Sequence, residues 1–125
     1  QTEKLTRNTG HMKIISASET EQYENGETCV VSEYRLEDDR IDAAVAKIDG
    51  RYPDAGWVRN TESKEIAYVL SGIGKLICEE EERLIAKGDV VLIEPNEKFY
   101  WEGKMELLIS CTPAWKYAQY EHIDG

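Results

Sequence analysis

Histidine is nearly absent from this sequence. Its 125 residues hold two, His11 and His122. The first falls in "QTEKLTRNTGHM", a polar, aperiodic opening that ends in the Gly-His-Met which cloning junctions commonly leave before a native Met12. Residues 1–11 are therefore read as an expression-tag remnant and 12–125 as a single domain. That domain keeps one imidazole, three residues from its C-terminus, too few to build a histidine metal site. Cysteine is also scarce. Cys29, Cys78 and Cys111 are odd in number, far apart and form no C-x-x-C pair, which argues against a disulfide framework and a thiolate zinc site and leaves reduced, mostly buried thiols.

Positive charge is short as well. Lys and Arg total 15 against 25 Asp and Glu, and the formal charge of -10 repels phosphate backbones and anionic lipid, so neither nucleic acid nor membrane is expected as a partner. No window approaches the ~18 apolar residues of a membrane span, and the opening lacks the basic-then-apolar order of a signal peptide. A soluble, cytoplasmic protein is expected.

What the sequence does contain is strand after strand. The runs "CVVSEYRL" (29–36), "AAVAKI" (43–48), "EIAYVL" (65–70), "GKLICE" (74–79), "ERLIA" (82–86), "DVVLIE" (89–94), "KFYWE" (98–102) and "MELLISC" (105–111) are short and rich in β-branched and aromatic residues. Gly, Pro, Asn, Asp or charge clusters bound each of them. Such spacing predicts an all-β sandwich or barrel. Only "AWKYAQYEH" (114–122) departs from it, as a turn of helix or a closing arm. The acidic run from Glu79 to Glu82 reads as a solvated hairpin tip, because adjacent residues on a turn diverge and do not converge on one ion. Gly72 and Gly74 are expected to turn the chain sharply out of strand 65–70, "KGD" at 87–89 to make a second tight turn, and Pro95 to end the strand after it.

Taken together these residues resemble the cupins, in particular the small single-domain, RmlC-like members. Glu65, six residues and Gly72 reproduce the second half of the first cupin motif, and "GDVVLIEP" from Gly88 to Pro95 resembles the start of the second. The resemblance spans about residues 30–112. It implies a double-stranded β-helix, or jelly-roll barrel, with a short C-terminal arm. Metal-binding cupins surround a cation with three imidazoles and one carboxylate. Here the His-x-His pair falls on Arg59 and Thr61, or on Val58 and Asn60 with a spacer one residue longer. The third histidine aligns with Phe99, or with Tyr100 if the turn slips by one, and Asn96 stands where Gly is usual. No metal or other cofactor is expected.

Period-two geometry indicates what replaces it. If Glu65 points into the barrel, so do Ala67 and Val69, while Ile66, Tyr68 and Leu70 face away. Phe99 and Trp101 likewise share a face. The expected interior holds the Glu65 carboxylate, the Arg59 guanidinium and aromatic walls from Phe99, Trp101 and Trp57, which together describe a small-molecule pocket. Phe99 and Trp101 also fit a plain core, and Arg59 a solvated loop. Glu65 resists a plain structural role, since a buried carboxylate is costly unless paired. Three function classes follow: a metal-free cupin that binds a small organic molecule, or whose barrel is only a scaffold for association; a metal-independent isomerase, epimerase or lyase with Glu65 as catalytic acid or base and Arg59 holding an anionic group; and a metalloenzyme with unusual ligands such as Glu65 and Cys111, which nothing in the spacing favours. A homodimer is expected, as in other small cupins, built on the Ile66, Tyr68 and Leu70 stripe. The tail residues Trp115, Tyr117, Tyr120 and Ile123 either reach the partner or close over their own barrel.

Overall fold

A computed structural model describes residues 12–79 and 81–124, so the proposed tag remnant, His11 included, lies outside the described residues. Among these described residues nine strands form one curled sheet: β1 (Glu21–Glu24), β2 (Cys29–Tyr34), β3 (Ala43–Tyr52), β4 (Trp57–Asn60), β5 (Lys64–Cys78), β6 (Glu81–Ala86), β7 (Val90–Ile93), β8 (Phe99–Thr112) and β9 (Tyr120–Ile123). The order β1-β2-β3-β8-β4-β9 runs along one path, and β5 pairs with β6, β7 and β8. All the pairings are antiparallel. The interior they close around holds Val58, Ala67, Val69, Leu107, Phe99, Trp101 and Ile93, all buried.

Two long strands replace four expected short ones. Gly72 and Gly74 do not turn the chain out of the sheet: β5 continues to Cys78, paired along its length with β8 from Lys64↔Thr112 to Cys78↔Phe99. The ladder instead slips at Val69/Ser71. This bulge changes the parity of the strand, so that Glu65, Ala67 and Val69 face inward before it and Gly74 and Leu76 after it. Gly72 belongs there because its φ is +87° and a Cβ would lie 2.2 Å from the Lys104 carbonyl oxygen. A strand reading from composition alone takes such a glycine for an end, whereas here it is a bend.

The other turn signals are met. Gly88, at φ +95°, lies in the turn between β6 and β7, where the Ala86 N–H donates to Asp89 Oδ2 at 2.8 Å. Asn96 has φ +70°, a conformation asparagine tolerates better than most residues, which accounts for its standing in a glycine position. Of the acidic run, Glu79 lies in the turn after β5, while Glu81 and Glu82 open β6 opposite Cys78 and Ile77, with Glu80 outside the described residues.

Three strands lie outside the expected runs: β1, β4 and β9. The C-terminal segment forms a 3₁₀ turn (Tyr117–Gln119) and then β9, which pairs with β4 of its own chain from Trp57↔Ile123 to Asn60↔Tyr120. Gln119 anchors this arm. Its buried amide oxygen accepts from the Glu62 and Ser63 N–H groups at 2.9 and 2.8 Å, and its Nε2 donates to Ser63 Oγ at 2.7 Å. The arm thus serves its own barrel.

Candidate functional site

The curled sheet borders a half-open cavity of about 1020 Å³. Alternation decides which side chains turn inward. On β4, Val58 and Asn60 are buried at 1% and 3% exposure, so Trp57 and Arg59 face the other way. The register with the longer spacer is therefore the one the protein adopts. Trp57 packs its ring 5.2 Å from that of Tyr100, and Arg59 Nε donates to Glu121 Oε1 at 2.7 Å. Neither lines the cavity, which corrects the expectation that Arg59 supplies a guanidinium there and Trp57 a wall. Glu65, Phe99 and Trp101 do line it, the two rings meeting edge to face at 5.9 Å.

Glu65 sits at the centre of a directed hydrogen-bond network. The indole Nε1–H of Trp115, which can only donate, points at Asn60 Oδ1 at 2.8 Å. That fixes the Asn60 amide so that its Nδ2 donates to Glu65 Oε1 at 3.1 Å. Cys111 Sγ–H reaches the same oxygen at 3.7 Å. No hydrogen bond to Glu65 Oε2 is seen from the described residues, and no fully buried side-chain oxygen or nitrogen among them lacks a partner. Oε2 is therefore open to the cavity.

Burial dominates the electrostatics of this carboxyl. It lifts the Glu65 pKa from 4.5 to about 7, against the Asn60 and Cys111 hydrogen bonds that lower it, with the Asp42 charge adding a further rise. The neighbouring thiols and phenols, already weak acids, are pushed further above neutrality. Burial raises the Cys29 thiol to about 11 despite a hydrogen bond from Asn25, and raises Cys111 further, helped by the Glu65 charge. Tyr52 and Tyr120, whose hydroxyls are 2.7 Å apart on the cavity wall, are likewise raised, first by burial. Thiols and phenols thus keep their protons at neutral pH, where Glu65 exchanges its own.

On the resemblance drawn above, the positions that would carry metal ligands in metal-binding cupins fall on Val58, Asn60, Glu65 and Phe99. A valine and a phenylalanine offer no donor atom, so this set does not fit a cation. Among the described residues no group of three or more His, Cys, Asp or Glu is arranged to hold a metal.

No protein-family model matches the chain, and no curated protein matches it in sequence. Solved structures do. A Streptomyces Pac13 structure with uridine is 20% identical, with a TM-score of 0.80 over 88% of this chain and 89% of that one; Pac13 is a nucleoside dehydratase. An RmlC-like cupin from Shewanella frigidimarina is 16% identical, with a TM-score of 0.68 over 88% and 96%. The chain has the cupin fold. Ectoine synthase from P. lautus shares it too, at 16% identity and a TM-score of 0.70 over 90% of each chain. At such identities the likeness carries the architecture of the cupin barrel and leaves its chemistry to the residues inside.

Several of those residues escaped the strand-by-strand reading. Asp42, Tyr52, Trp115 and Tyr120 join the cupin cavity from segments outside the two motifs. Trp115 and Tyr120 were visible beforehand as tail residues able to close over the barrel, and Asn60, which bonds Glu65, as the alternative histidine position; Asp42 and Tyr52 were not.

Proposed function

We propose that this cupin barrel binds a small organic molecule in its cavity without a metal, with Glu65 as the polar group that orients it. The observation that carries this reading is the Glu65 Oε2 atom, buried with its residue yet open to a space walled by Phe99, Trp101, Trp115, Tyr52 and Tyr120. Apolar walls with a few convergent polar groups are the usual composition of a ligand site. A fragment screen read by NMR tests it. Binders should shift the Trp101 and Trp115 indole signals and lose affinity in Ala46→Phe, which fills the cavity. A screen in which no fragment moves those signals would overturn the reading.

The Glu65 pKa near 7 favours a second reading, a metal-independent lyase, isomerase or epimerase. An acid–base group works best with a pKa near the working pH. The Tyr52 and Tyr120 hydroxyls offer a second proton donor on the same wall, and one structural neighbour is a dehydratase. Under this reading Glu65→Gln abolishes turnover and keeps ligand affinity within a few-fold.

We further infer a homodimer in solution. Ile66, Tyr68 and Leu70 on β5 lie beside Val90, Leu92 and Leu108 on β7 and β8, all substantially exposed on the outer face of one sheet. Contiguous exposed apolar surface, where it is large, is a mark of a protein–protein contact.

A further inference from the structure

The charge of the cavity wall is one-sided. Five carboxyl groups line it, Glu65 at the centre and Asp42, Glu33, Glu27 and Asp54 toward the outside, while no lysine or arginine does among the described residues. The nearby arginines are turned elsewhere. Arg51 donates to the Pro53 and Gly56 carbonyls and lies 3.7 Å over the Tyr100 ring, Arg59 pairs with Glu121, and Arg35 pairs with Glu21. Among the described residues His122 is the one basic side chain of the lining, and it sits exposed against Tyr120. No ion pair seen among the described residues neutralises any of the five carboxyls. Asp42 is held by two backbone donors, the N–H groups of Cys111 and Trp115 at 2.7 and 2.9 Å.

Resting on the ligand-binding reading, we propose that the cavity selects by charge: it admits uncharged and ammonium-bearing aromatic molecules and rejects carboxylates and phosphates. Two independent features support this. A ligand reaching Glu65 meets an oxygen that can accept a hydrogen bond or pair with a cation, and the next nearest charges are of the same sign. An anion placed there would have no cationic partner in a space of lowered dielectric, where repulsion between like charges is far stronger than in water. The aromatic walls add attraction for a cation over their faces. This reverses the expectation of an anionic substrate group held by arginine, since the arginine lies outside.

Matched probes of one shape and three charges test the proposal: tryptamine, tryptophol and indole-3-acetate, with uridine and its 5′-monophosphate as a second set, each titrated at fixed pH and salt. The amine and the alcohol should bind, and indole-3-acetate should bind about tenfold or more weakly than either, as should the nucleotide relative to the nucleoside. In Glu65→Gln the amine-to-acid ratio should shrink severalfold. Equal or tighter binding of the anions, with cavity signals shifting, would overturn charge selection while leaving ligand binding intact. An unchanged ratio in Glu65→Gln would overturn the part assigned to that carboxyl. If no probe of either set bound in the cavity, the ligand-binding reading itself would fall.

Discussion

The two faces of β5 invert the usual distribution of polarity. Inward it presents Glu65, followed by Ala67 and Val69; outward it presents Ile66, Tyr68 and Leu70, at 49%, 41% and 37% exposure. The inner face therefore places a carboxyl where burial penalises its charge, and the outer face leaves apolar side chains in water. Each departure costs stability in the isolated chain. Under the two proposals made above, the inner face answers to a ligand in the cavity and the outer face to a partner that covers the sheet.

Substitutions can break or sharpen this contrast. The largest loss is expected where the inner face is plain core: Leu107→Ala, at a fully buried site on β8, should cost about 3 kcal/mol in urea unfolding. A pH series should show an effect of similar size for Glu65. Its folded pKa of about 7 lies above the unfolded 4.5, so the native state holds the proton more tightly. The contribution is full below pH 4.5, declines as pH rises toward 7 and is gone above it, amounting to about 3 kcal/mol. Glu65→Gln has no proton to lose. Its stability relative to the parent should therefore climb by about 3 kcal/mol across that window, and a flat difference would refute the buried, unpaired state of the carboxyl.

Asn60→Ala should cost about 2 kcal/mol, since it strands the Trp115 indole N–H and leaves Glu65 Oε1 with the Cys111 thiol alone, and should push the Glu65 pKa higher still. On the outer face the effect on folding should be smallest. Tyr68→Glu should change the stability of the monomer by no more than about 0.5 kcal/mol. It should nevertheless convert a dimer into a monomer in light scattering. A parent that is already monomeric at all concentrations would remove the partner from the outer face.

Much of this was legible in the sequence because alternation is a local signal. Glu65, Phe99 and Trp101 could be placed inside the barrel from period two and two short motifs, and the outer stripe followed from the same count. What was missed depends on distant pairing. The bulge at Val69/Ser71 joins two expected strands into one, and nothing in "LSGIG" distinguishes a bend from an end. Arg59 and Trp57 were assigned inward because the loop before Glu65 has no internal marker of register. Only the pairing of β4 with β9 and with Phe99 of β8 fixes Val58 and Asn60 as the inward residues. The arm that brings Tyr120 to Tyr52 is likewise positioned by Gln119, a residue whose role exists only once Ser63 is beside it.

The most direct test of the account is the titration of the Glu65 side chain itself. A ¹³C NMR pH series on selectively labelled protein, with the Glu65 carboxyl signal assigned by its disappearance in Glu65→Gln, reads the protonation of that one group in the folded chain. The account predicts a midpoint near 7, displaced by burial beside the Asn60 and Cys111 donors. A midpoint in the ordinary glutamate range, near 4.3, would mean that the carboxyl is solvated or paired and that the cavity is not organised around it.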